Sequence, residues 1–194
     1  MPAKPTALHF TADKEANKLL AKEPLAVLIG MLLDQQVTME KAFSGPLELK
    51  KRLGGSLDAA AIAAMDQEAF VSLCCAFPAI HRFPGSLGKR THELCRYLVE
   101  HHGGKADKVW KGVKTGDELL ERLRALPGYG DDKSRIFVGI LGKRLGVQPE
   151  GWESVAADWA SIADVDSFER VTEIREAKRA MKAAKRSVKE VKAR

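Results

Sequence analysis

The chain has 194 residues, a net charge of +6, 45% hydrophobic and 30% charged residues, which suits one globular unit with a buried core and excludes a wholly disordered chain. No stretch approaches the ~20 consecutive apolar residues that span a bilayer, so a membrane-spanning helix is excluded as well. The charge is uneven. Residues 178–194 hold eight basic residues against Glu190 alone, while residues 1–177 hold 24 basic and 25 acidic ones. Within that nearly neutral body, residues 81–114 carry eight basic against three acidic residues and residues 115–177 carry eight against thirteen. A polyanion would therefore meet two local basic regions.

In chain order, the opening MPAKPTALHFTADKEANKLL places Lys, Asp and Glu where an export signal needs an apolar run, which predicts a cytoplasmic protein. Pro24 followed by LAVLIGMLL predicts a helix with proline in its first turn, apolar nearly all round and hence central and buried. Ser56 and Asp66 are predicted N-caps for LDAAAIAAM and QEAFVSLCC, and Thr115 with Glu118 has capping-box spacing. Pro46, Pro78 and Pro84 are predicted to punctuate between helices. Residues 169–192 combine strong helix formers with few breakers, predicting a helix whose first half docks and whose last turns either hold or fray. No set of alternating β-branched strands occurs, so the predicted class is all-α.

Cys74, Cys75 and Cys95 are too few for a disulfide framework, and adjacency strains any bridge between the first two, so they are expected as reduced, buried thiols. His81, His92, His101 and His102 lack paired cysteines and the HExxH pattern, so they are read as part of the basic surface and no metal is expected.

The most informative stretch is Leu126-Pro127-Gly128-Tyr129-Gly130, set between the helical ELLERLRA and SRIFVGILGKRL. Two glycines in three residues permit backbone angles that expose successive N–H groups, and the next helix brings its positive dipole end to the same place. That describes a phosphate-sized anion site. A tight helix–helix turn is the alternative from composition alone.

LPGYG between two helices resembles the hairpin of the helix-hairpin-helix (HhH-GPD) DNA glycosylases of base-excision repair, whose consensus is close to LPGVG. Leu32-Leu33-Asp34-Gln35-Gln36-Val37-Thr38 is similar to that family's early helix and glutamine-bearing turn, and Leu94 to Gly103 to the helix before the hairpin. The segments follow in the family's order over roughly residues 20–150. The resemblance implies a two-lobed all-α fold with a central cleft. One lobe would span 24–132 with the hairpin at 126–130, and the second would combine 1–23 with 133–177. Residues 178–194 would form a basic C-terminal helix or tail. It further implies a monomer that binds double-stranded DNA containing a damaged or mismatched base and cuts the N-glycosidic bond after flipping the nucleotide out of the stack. Gly128, Tyr129 and Gly130 would contact backbone and sugar, and Gln36 would fill the vacated gap. Without the family, Gln36 reads equally as a cap on the apolar helix.

Two catalytic positions depart from the family. A lysine two residues after the second hairpin glycine is the nucleophile of bifunctional members; here that position is Asp132, and Lys133 follows one residue later. One residue rotates a helix by about 100°, so Lys133 is expected to turn away and serve as a phosphate contact or face solvent, leaving water as the nucleophile of a monofunctional enzyme, with Lys133 as nucleophile the lesser alternative. The family's carboxylate, some twenty residues after the hairpin, falls on Glu150 in an ungapped register, with Asp132 as the competing candidate and dipole complementation its bland role. Trp152 or Trp159 is a candidate to stack on a flipped base, or else core. Four cysteines near the C-terminal end are needed for the iron-sulfur cluster of some relatives. Three lie in the first half of this chain, so no cofactor is expected. A DNA-binding protein of the same fold that has lost catalysis is the alternative reading.

Overall fold

A computed structural model describes residues 5–192, and every regular element among them is helical. The elements are α1 (Lys14–Lys22), α2 (Pro24–Leu33), α3 (Met39–Arg52), α4 (Ala59–Ala64), α5 (Gln67–Cys75), α6 (Pro84–His102), α7 (Gly116–Arg124), α8 (Asp131–Leu145), α9 (Trp152–Val155) and α10 (Phe168–Lys192). Short 3-10 turns at Ala106–Val109 and Ile162–Asp164 link them. The extended pairing among the described residues is a lone bridge between Thr115 and Glu150. No described helix is long and apolar enough to cross a membrane.

α2 is the central helix, with all its residues from Leu25 to Leu33 buried. Burying each large aliphatic side chain contributes about 1.5–3 kcal/mol, so this one helix anchors the core. α3 lies directly on it: a Cβ at Gly30 would come 2.5 Å from the Phe43 ring, and Phe43 in turn meets Phe10 edge-on with centroids 5.0 Å apart. α4 and α5 pack on α6, while α7, α8 and α9 form a second cluster. There Trp152 occupies the space over Gly142, where a Cβ would lie 2.3 Å from the indole.

Several local expectations are corrected by the packing. Pro46 does not separate helices but lies buried inside α3. Its missing N–H removes one ladder bond, and burial of its ring in the core offsets the loss. α4 is capped by Asp58, whose carboxylate accepts from Ala61 N, rather than by Ser56. Asp66 and Thr115 cap α5 and α7 as the sequence predicts. The Glu118 carboxylate, however, accepts from Lys114 N at 3.1 Å, one residue before the expected partner. Cys74 and Cys95 are buried, whereas Cys75 is exposed. α10 runs through Lys192, docking by Val171 and Ile174 and by an Arg175–Glu40 ion pair at 2.9 Å to α3. Residues 193–194 at the basic end lie outside the described residues.

Candidate nucleic-acid interface

α7 buries Leu119, Leu120 and Leu123, and Leu126 continues that stripe into the turn. Gly128 then has φ +81°, in the left-handed region, and a Cβ there would lie 2.4 Å from Leu32 Cδ1 on α2. Both facts demand glycine. Gly130 is different: its backbone is extended (φ −84°, ψ 179°) and a Cβ would meet nothing within 4 Å. Backbone geometry therefore needs one of the two glycines. Gly130 is the N-cap of α8 and supplies no side chain to it, so the first-turn amides of α8 are left uncovered by a cap.

Two side chains lock this turn to the end of α2. The Tyr129 hydroxyl donates to Leu28 O at 2.7 Å, and its ring meets Phe137 edge-on, so Tyr129 is a buried core residue and its ring does not face a DNA sugar. Burial holds its phenol well above the ordinary range. The Lys133 amine donates to Leu32 O at 2.8 Å. Lys133 therefore does not face solvent but lies half-buried against the end of α2. Helical side chains lean back over the preceding turn, and a four-carbon stem spans the offset that one residue of rotation introduces. Burial pushes the amine from 10.5 down to about 8; Asp34 opposes the shift and Arg90 adds to it.

The turn after α2 completes the group. Asp34, half-buried, is the C-cap of α2. The Gln35 amide donates to Leu32 O at 3.4 Å, so Gln35 performs the helix-end role that was the alternative reading of Gln36. Gln36 is exposed and is the one non-glycine with positive φ (56°) among the described residues. A left-handed backbone in a residue with a Cβ costs about 1–2 kcal/mol, and such costs persist mainly where a function holds them. Beside it is a recess of about 230 Å³ lined by Gln35, Gln36, Phe83, Ser86, Leu87 and Arg90. Phe83 is 42% exposed, with the Arg82 guanidinium 5.4 Å from its ring centroid.

His81 fixes this turn from behind. Its Nδ1 accepts from Phe83 N at 2.9 Å, so Nε2 carries the proton and donates to Gln35 O at 2.9 Å. Burial holds the ring below its ordinary pKa; the backbone bonds to Gln35 and Leu33 oppose this, and the Lys133 and Lys41 charges add to it. His92 is also buried, its Nε2 3.0 Å from Met65 O, so neither histidine belongs to the basic surface. His101 is exposed and His102 half-buried.

The candidate carboxylates separate. Glu150 is bound through its backbone to the start of α7, Glu150 N donating to Lys114 O at 2.9 Å and its carbonyl accepting from Gly116 N at 2.7 Å. The hairpin lies at the opposite end of α7, about 13 Å away by helix rise. Glu150 is therefore not a carboxylate of this site. Asp132 is exposed on the first turn of α8, where its charge favours the helix dipole and opposes a phosphate. Asp131 is held by Arg124. The carboxylate within electrostatic reach of the amine is Asp34, which no spacing in the sequence marks out within Leu32–Thr38. Phe83, exposed between basic residues, is the other residue that was missed. Trp152 is core, and Trp159 is stacked under Arg135, two residues beyond Lys133 and thus on the other side of α8.

No protein-family model and no curated protein matches the chain. Chemically, the arrangement offers uncapped amides at a helix start, a partly desolvated amine, a carboxylate within its electrostatic reach, and an exposed amide and aromatic ring on the adjoining turn.

Proposed function

We propose that the chain is a DNA glycosylase of the helix-hairpin-helix kind, excising a damaged or mismatched base from duplex DNA. The observation that carries the reading is the Lys133 amine on the carbonyl of Leu32, which joins the hairpin to the glutamine turn. Phosphates would lie on the uncapped start of α8, Gln36 would enter the gap left by a flipped nucleotide, and Phe83 would wedge beside it.

The amine at about 8 is neutral in about a fifth of molecules near pH 7.4, against about a thousandth for an ordinary lysine. In the proposed reaction the neutral amine attacks the sugar C1′ and the C1′–N bond breaks. The base leaves with that bond's electron pair and takes up a proton, while the amine nitrogen loses one. Asp34 offsets the positive charge that develops on the sugar. Opening of the sugar ring then gives a Schiff base between Lys133 and C1′. Amine attack takes the place of the water attack that a turned-away lysine implied. The absence of Glu150 from the site favours a second reading, a DNA-binding protein of the same fold without catalysis.

Labelled duplexes bearing uracil, hypoxanthine, 8-oxoguanine or an alkylated purine test both. The proposal expects base release from at least one of them, revealed by alkali, and a borohydride-trapped adduct that disappears in Lys133→Ala. Release without trapping returns the nucleophile to water. Binding of every duplex with release from none leaves the non-catalytic reading.

A further inference from the structure

Phe77 is 98% exposed, the barest large apolar side chain among the described residues. The loop that carries it is not loose. Arg52 reaches from the end of α3 to Leu73 O and Pro78 O, each at 2.5 Å, and Lys41 reaches from the start of α3 to Ala79 O at 2.9 Å. Ile80 N donates to Cys74 O at 3.2 Å, and the Ile80 side chain is fully buried. A backbone fixed on both sides of Phe77 thus holds its ring in water, where collapse onto the body would gain apolar contact.

The surroundings indicate the kind of partner. From residue 69 to residue 92 the chain has no acidic residue; of its three basic ones Lys89 pairs with the preceding Glu68 at 3.2 Å, so Arg82 and Arg90 carry the positive charge of the segment. The same loop continues into His81, which holds the Gln35 carbonyl, and Phe83, which lines the Gln36 recess. An exposed ring on an acid-free, basic segment contiguous with the candidate interface matches a polyanion that carries aromatic faces.

We infer that Phe77 is a nucleic-acid contact outside the hairpin site, its ring stacking on an unpaired base of the strand that flanks the flipped nucleotide. The inference rests on the DNA reading above and adds to it a preference for duplex with locally unpaired bases. A base face is recognised by stacking whatever its identity, so this contact adds affinity without choosing the lesion.

Anisotropy titrations of the full chain with a fully paired duplex and with the same duplex carrying an unpaired stretch test it. Phe77→Ala should bind the unpaired duplex about ten-fold more weakly than the parent and the paired duplex nearly as well, and Phe77→Tyr should restore the loss. The exposed ring makes no packing contribution, so thermal melting of both variants should match the parent. Equal affinities of the parent and Phe77→Ala for the unpaired duplex would overturn the inference and leave the hairpin reading standing. A parent that binds neither duplex would overturn both. Loss of self-association in Phe77→Ala with unchanged DNA affinity would overturn it in favour of a second copy of this chain.

Discussion

Replacing Lys133 by Met keeps an unbranched apolar stem and removes the charge, which isolates the physical claim behind the proposed chemistry. In the folded protein the amine titrates at about 8, against 10.5 when solvated. Below pH 8 both states carry the proton, and the folded state bears the full cost of holding the charge away from water. Between about 8 and 10.5 the unfolded chain binds a proton that the folded chain lacks, so this group raises stability as pH rises. A shift of that size corresponds to about 3 kcal/mol. At pH 7 the gain from removing the buried charge is set against the lost bond to Leu32 O, about 1.5–3 kcal/mol, so the variant should be near-neutral there. The parent should then become more stable relative to the variant by about 3 kcal/mol from pH 7.5 to 10.5. Urea melts of both proteins across that range measure the difference directly. The buried Cys74 and Cys95 thiols, which burial pushes up, titrate alike in both proteins and cancel. Parallel stability curves would show a solvated amine and remove the basis for Lys133 as a nucleophile.

Tyr129→Phe removes the hydroxyl's bond to the Leu28 carbonyl, which keeps its helix-ladder partner within α2, and should cost about 0.5–1.5 kcal/mol in urea unfolding. Gly128→Ala should cost about 1–3 kcal/mol, because the residue must hold a left-handed backbone against Leu32. Gly130→Ala should leave stability within about 0.5 kcal/mol, since its Cβ enters open space, yet weaken duplex binding several-fold by holding phosphate off the α8 amides. Undiminished binding by a folded Gly130→Ala would remove the hairpin from the interface. Deleting residues 182–194 takes away six basic residues and one acidic one, so the dependence of duplex affinity on salt should flatten without a change in which base is released. An unchanged salt slope would place that segment away from the nucleic acid.

What the sequence by itself determined was local. Apolar residues all round Pro24–Leu33 require burial on every side, Asp66 and Thr115 start α5 and α7 where their oxygens meet free amides, and two long helical patterns meet at a Gly-containing turn. Each of these is decided within a few residues, by periodicity or by a hydrogen bond of short sequence separation. The requirement for Gly128 was legible as a turn residue, but its second cause, the side chain of Leu32, was not. The site itself depended on the tertiary structure, because its members are electrostatic neighbours across large sequence separations. Lys133 reaches Leu32 across 101 residues, and His81 reaches Gln35 across 46. Helical rotation placed the Cα of Lys133 away from the expected direction, but the long side chain and the approach of α8 to the end of α2 decided where the amine lies. The converse holds for Glu150. Its spacing from the hairpin suggested a catalytic position, and the straight run of α8 carried it to the far end of α7. Asp34 came within electrostatic reach of the amine because Gly128, Tyr129 and Lys133 pack the hairpin against the C-terminal half of α2.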